Sequence, residues 1–221
     1  MNTLTKLALG LIGQLKPARA QGYAVSTLPL APARFGEAWP LMHALQQRQS
    51  QRAFDPTPLA HQVLSDLVWA TAGVNRPEVG GRTAPSAMNA QEIDLYAALP
   101  GGLYRYDAAQ HQLRMVADTD VRRVTGYQDF VDTAPLDLIY VAHHGRMSMV
   151  PAAQRDAYAW LAAGAMAQNA YLYCAAAGLA TVLRAWIDRH ALAQAMGLSN
   201  DEQVLVAQTV GLPVFAGHAP A

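Results

Sequence analysis

Between residues 59 and 72 the apolar positions Leu59, Val63, Leu64, Leu67, Val68 and Ala72 recur at helical spacing, and Gly73 stands where such a helix would stop. A shorter run with the same period, Leu41, Ala44 and Leu45, predicts a helix over 37–48 with Pro40 in its first turn. After residue 92 the pattern changes. Residues 93–99, 103–106 and 113–116 are short apolar segments separated by turn residues such as Pro100-Gly101-Gly102, which predicts an antiparallel meander. Residues 136–142 are apolar almost without interruption, as expected of a central strand covered on both faces. An Ala-rich helix is expected over 154–177, ended by Gly178, and a helix capped by Asp188 runs to Gly197. A short helix over 121–125 and strands over 181–183 and 204–210 complete the pattern. The expected fold class is α+β, with an antiparallel-rich mixed sheet wrapped by helices.

Domain boundaries follow from where the pattern weakens. Residues 1–36 are expected to form an N-terminal arm and linker, 37–215 one domain, and 216–221 a short tail. Within the arm, Lys6 precedes a brief apolar run and Ala18-Arg19-Ala20 has the small-x-small look of a cleavage site. The run is too short to span a bilayer, and Gln14, Lys16, Pro17 and Arg19 follow it. An amphipathic arm on a cytoplasmic protein is the favoured reading; export to the periplasm, with residues 1–20 removed, is the alternative. Residues 26–34, with Pro29 and Pro32, read as an extended linker, and 75–81 as a surface loop.

Composition narrows the class. Net charge is zero, which argues against a nucleic-acid groove or a polybasic membrane patch. With 52% apolar and only 14% charged residues, the chain has more apolar surface than one monomer core needs, as a hydrophobic homodimer interface would require. The one cysteine, Cys174, lies in the Ala-rich helix, and a small buried hydrophobe is the expected role. His143 and His144 are adjacent at a strand end, so they point to opposite faces and make poor joint metal ligands. No metal site is expected, and no Ser-His-Asp arrangement, phosphate-binding P-loop or dinucleotide GxGxxG element is present.

Two segments carry candidate chemistry. Arg48-Gln49-Ser50-Gln51-Arg52 places two guanidinium groups four residues apart with a hydroxyl between them; on a helix end the arginines would share a face and suit a phosphate. Pro85-Ser86-Ala87-Met88-Asn89-Ala90-Gln91 cannot be one regular element, because Pro85 removes Ala84 from the α region. Ser86 can cap a short turn, and Asn89 and Gln91 carry amides that both donate and accept.

In this order and spacing the two segments resemble the flavin-binding signature of the nitroreductase superfamily, Arg-x-Ser-x-Arg followed by Pro-Ser-x-x-Asn-x-Gln. The resemblance runs from about Leu41 to Pro213. The stretch Trp69 to Pro77 is similar to compact bacterial members related to peptide azoline dehydrogenases. The resemblance implies a dimeric nitroreductase-like fold and bound FMN. Arg48, Gln49, Ser50 and Arg52 would serve the phosphate side. Pro85, Ser86 and Ala87 of the second subunit would lie against the ring, with Asn89 and Gln91 bonding its edge or bracing the loop. A third element, Gly178 to Trp186, implies that Leu183, Arg184, Ala185 and Trp186 pass over the flavin, and Gln128 is a further candidate for its edge. Two departures stand out: this loop lacks the Gly of many relatives, and no Lys or Arg follows Arg189, where classical members complete the phosphate site.

The implied function is an FMN-dependent NAD(P)H oxidoreductase. Hydride would pass from the nicotinamide to the flavin and then, in ping-pong fashion, to a small electron-poor or aromatic acceptor such as a nitroarene or quinone. The flavin carries the chemistry, so no side chain need be catalytic. An azoline-type flavin dehydrogenase or oxidase is the alternative within the superfamily, and a flavin-binding module without turnover is the alternative outside enzymes.

Overall fold

The computed structural model describes residues 1–21, 25–35 and 40–214. In chain order the strands are β1 (Ala18–Arg19), β2 (Thr27–Pro29), β3 (Phe54–Asp55), β4 (Val74–Arg76), β5 (Gly81–Arg82), β6 (Ile93–Leu99), β7 (Gly102–Asp107), β8 (Gln112–Ala117), β9 (Thr119–Asp120), β10 (Leu136–His143), β11 (Ala180–Arg184) and β12 (Glu202–Pro213). The α-helices are α1 (Thr3–Leu11), α2 (Leu41–Gln47), α3 (His61–Ala72), α4 (Ala152–Ala176) and α5 (Arg189–Met196). The main sheet runs β11-β12-β10-β6-β7-β8-β2, with β3 added on β12. Every described pairing is antiparallel.

Strand β10 sits at the middle of this sheet, between β12 and β6, and its period of two separates the molecule into two cores. Leu136, Leu138, Tyr140 and Ala142 face the side covered by α3 and α4. Ile139 and Val141 face the other, which holds Leu192 and Met196 of α5. Burying a side chain of this size contributes roughly 1.5–3 kcal/mol, so both faces of β10 are strongly specified.

The long helix α4 has 25 residues and is therefore about 37 Å long. Ala159, Ala163, Met166, Ala167, Ala170 and Cys174 form the stripe it presents to the sheet and α3. Small residues let the backbone come close there, and Ala162 and Ala163 are buried, while Gly164 faces open space. Cys174 is buried as expected, and desolvation pushes its thiol well above the usual range.

The expected first helix begins at Leu41, with Pro40 as its N-cap; the part of that expectation over 37–39 lies outside the described residues, as does the tail 216–221. Residues 75–81, expected as a surface loop, lie within a two-stranded ribbon of β4 and β5 around a 3₁₀ turn, Pro77–Val79. The expected linker is extended, but Thr27–Pro29 is hydrogen-bonded to β8 and closes that edge of the sheet. Helix α1 is capped by Asn2, whose side chain accepts from the Thr5 N–H, and it inserts Lys6 fully into the protein. The Lys6 ammonium lies 2.5 Å from Asp132 Oδ1 and donates to the Gln128 carbonyl at 3.0 Å. Among the described residues, no helix is long and apolar enough to cross a membrane.

Lys6 anchors α1 through a buried ion pair with Asp132, which also meets the Met1 ammonium at 2.9 Å. Lys6→Met removes the buried partner and should destabilise the fold by about 1.5–3 kcal/mol and lower Tm by on the order of 5 °C. Calorimetry showing an unchanged Tm would mean that α1 is dispensable to the fold.

Candidate functional site

An edge strand leaves one row of backbone groups without a ladder partner. On β11, the groups of Thr181 and Leu183 point outward, away from β12. The Thr181 carbonyl accepts from the Gln51 N–H at 2.9 Å. The Leu183 N–H donates to the Tyr171 hydroxyl at 2.8 Å, and that hydroxyl also lies 2.8 Å from Ser50 Oγ. The first sequence motif is thereby fastened along the open edge of the sheet, with Tyr171 of α4 as the joint. Beside it lies a cavity of about 600 Å³, lined among others by Gln49, Gln51, Arg52, Tyr171, Thr181 and Pro213. That volume is within the ~300–1,000 Å³ of ordinary ligand pockets.

The two arginines are not on one helical face. Arg48 is the C-cap of α2 and the chain beyond it is extended. Its guanidinium sits over the Tyr171 ring, 5.3 Å from the centroid. Arg52 is exposed on the wall of the cavity. The donors at this wall are a guanidinium, amides and, beside them, a hydroxyl, a set suited to an anion with a polar-edged ring. Tyr171 was legible only as an apolar position in an Ala-rich helix; its signal was the hydroxyl, which needs a partner when buried.

Arg184 departs from expectation. Alternation along β11 turns it to the sheet face opposite α4. There its Nη2 donates to Asp137 Oδ1 at 2.7 Å and to Thr125 Oγ1 at 3.1 Å, its Nη1 to the Thr125 carbonyl at 2.7 Å, and its Nε to Thr209 Oγ1 at 3.0 Å. Desolvation pushes its pKa down and Asp137 pulls it up. This buried guanidinium has no reach to a phosphate in the cavity. Gln128 belongs to the same cluster, with Oε1 at 3.5 Å from Arg184 Nη1. Close packing there requires Gly126: a Cβ on it would approach Arg184 Nη1 to 2.1 Å. Ala185 and Trp186 are exposed beyond the end of β11, and Trp186 leans on Tyr127, with centroids 5.3 Å apart. Trp186 is thus neither core nor a wall of the cavity.

The second motif sits elsewhere on α4. Pro85, Ser86 and Ala87 line an open apolar groove with Tyr158, Leu161 and Ala165. On α4 the nearest lining residues of the two depressions are Ala165 and Tyr171, six positions or about 9 Å apart along the helix. Within one chain, therefore, the two motifs do not share a cavity. The Ser86 hydroxyl does not cap the following 3₁₀ turn, Ala87–Asn89; it accepts from the Gln91 N–H at 2.7 Å and donates to Glu92. Gln91 braces the loop, taking Arg82 Nε on Oε1 and giving Nε2 to the Gly80 carbonyl and to Asn89. Asn89 itself is exposed.

Two substitutions separate structure from binding here. Arg184→Ala leaves Asp137 buried without its counter-ion and should cost about 3–5 kcal/mol of stability, read by denaturant unfolding. Tyr171→Phe removes two hydrogen bonds of about 1 kcal/mol each; the fold should survive, with faster amide exchange at Leu183. Equal stability for Arg184→Ala and wild type would refute the buried-pair assignment.

The profile of the nitroreductase family matches residues 45–212. A proposed nitroreductase of Methanocaldococcus jannaschii is 30% identical over 152 residues, 64% of this chain and 76% of that protein. A crystal structure of a proposed nitroreductase from Ralstonia eutropha JMP134 superposes with a TM-score of 0.88 at 49% identity, covering 91% of this chain and 96% of that one. One from Desulfovibrio desulfuricans, solved in complex with FMN, shares the fold with a TM-score of 0.58 at 20% identity, over 84% and 92% of the two chains. The match spans the first motif, the second motif and β11 together, and the chain belongs to the nitroreductase family of oxidoreductases.

Proposed function

We propose that this protein is an FMN-dependent oxidoreductase that takes hydride from NADH or NADPH and delivers it to an electron-poor acceptor such as a nitroarene or quinone. The observation that carries the reading is the cavity beside β11, where the Arg48–Arg52 segment, Tyr171 and the strand edge meet. Arg52 and Arg48, with Ser50, would hold the phosphate; Ala185 and Trp186 are the exposed segment beyond β11 that could approach the ring. FMN, when bound, supplies the two-electron chemistry. The protein's own task is to bind, orient and keep water out.

In this reading the site is completed by a second copy of the chain, whose Pro85, Ser86, Ala87 and Asn89 lie against the ring. The separation of the two motifs along α4 supports that arrangement. So does the exposed apolar surface of α2 and α4, with Leu41 61%, Met42 74%, Trp160 39% and Leu161 74% exposed. A homodimer covering these residues would bury more than roughly 2,000 Å².

Purified protein tests the reading directly. It should be yellow, and NADH or NADPH should bleach it without oxygen. A yellow protein inert to both would move the activity to substrate oxidation of the azoline type; a colourless protein that takes up no FMN would end the proposal. Arg48→Ala and Arg52→Ala should each weaken FMN binding by about tenfold, the worth of one charge-assisted hydrogen bond; unchanged titrations for both would remove the phosphate assignment. Mixing Arg52→Ala with Ser86→Trp subunits should restore one intact site in each heterodimer if the sites are shared, and none if each chain holds its own flavin.

A further inference from the structure

Glu92 is fully buried, directly after the second motif and one residue before β6. Its carbonyl accepts from the His143 N–H at 2.7 Å, so its backbone is fixed to the start of the β6–β10 pairing. Its Oε2 accepts a hydrogen bond from the Ser86 hydroxyl at 2.5 Å. Its Oε1 has no hydrogen-bond partner among the described residues, and Glu92 lines a cavity of about 20 Å³ together with Arg82, Ser86 and Gln91.

The segment that Glu92 abuts is strained. Met88, Asn89 and Gln91 have φ values of 53°, 53° and 51°. Left-handed backbone is uncommon outside glycine, and three such residues within four positions need something that over-determines them. Ser86 supplies it on one side, because the lone pair that takes the Gln91 N–H is free only while the hydroxyl proton points elsewhere. Glu92 is where that proton points.

We propose that Glu92 is the positioning residue of this loop. By fixing the direction of the Ser86 O–H, it makes Ser86 an acceptor for Gln91 and holds residues 86–91 in the one conformation that presents the surface of Pro85, Ser86 and Ala87 along the open groove. Its bearing on cofactor binding rests on the reading that this surface meets FMN; its bearing on the loop does not.

The test uses four full-length variants, Glu92→Leu, Glu92→Gln, Ser86→Ala and the double Glu92→Leu/Ser86→Ala. Hydrogen–deuterium exchange over 86–91 is measured on flavin-free protein. Glu92→Leu fills the pocket without an acceptor, so it should keep its thermal stability yet speed exchange at the Gln91 amide by about tenfold or more, as loss of one strong hydrogen bond requires. Glu92→Gln retains an acceptor oxygen and should stay near wild type. In FMN titrations Glu92→Leu and Ser86→Ala should each lose about tenfold in affinity, and the double should lose no more than either, because both break one chain of bonds. Wild-type exchange in Glu92→Leu, or losses that add in the double variant, would overturn the proposal. If the wild type takes up no FMN, the functional reading fails, while the exchange measurement still decides on Glu92.

Discussion

The open edge of β11 is the constraint on which the candidate site depends. A sheet that ends on an exposed strand must satisfy that strand's outward amides and carbonyls, or it invites pairing with another chain. Here the Gln51 amide and the Tyr171 hydroxyl satisfy them, one from the segment after α2 and the other from α4. The same two bonds that close the sheet also hold Ser50 on the Tyr171 hydroxyl and place Gln51 and Arg52 on the wall of a cavity. Edge protection and the wall of the cavity are one structure, which explains why the motif residues sit on a strand edge and not on a helix.

On the opposite face the sheet carries charge. Arg184 and Asp137 are both buried beneath β11 and β10, surrounded by Thr125 and Thr209, and Lys6 meets Asp132 nearby. Such pairs contribute little net stability compared with apolar residues of similar size, but each is severely punishing to break singly. They therefore fix which segments may lie against that face: α1 through Lys6, and the 125–132 segment through Thr125, Gln128 and Asp132.

Much of the fold was legible in the chain. The periods of 3.6 and 2 located α3, α4, α5, β6, β10 and β12, because apolar burial on a regular element leaves a regular trace. Short elements were lost where hydrogen bonding to distant residues decides the conformation, as for Thr27–Pro29 on β8. The candidate site was read in part. Of the Arg48–Arg52 segment, Gln49, Gln51 and Arg52 line the cavity, while Arg48 stacks on Tyr171 and Ser50 bonds its hydroxyl. Arg184 does not, because the face that a strand residue occupies depends on register, and no local pattern marks a guanidinium that is going to be buried. Glu92 passed unnoticed for the converse reason: a carboxylate next to a strand looks like solvated surface until its neighbours are known.

Helix α4 holds Tyr158 and Leu161 at one depression and Tyr171 and Ala175 at the other. A helix turns by about 100° per residue. Inserting or deleting a single residue between Leu161 and Tyr171 would rotate one set of contacts by that angle relative to the other, swinging the Tyr171 hydroxyl away from β11 while the groove beside Pro85 stayed intact. A whole turn would restore the phase but shift the two ends by about 5.4 Å. Between these points α4 works as a phased ruler, and its length is not free to drift.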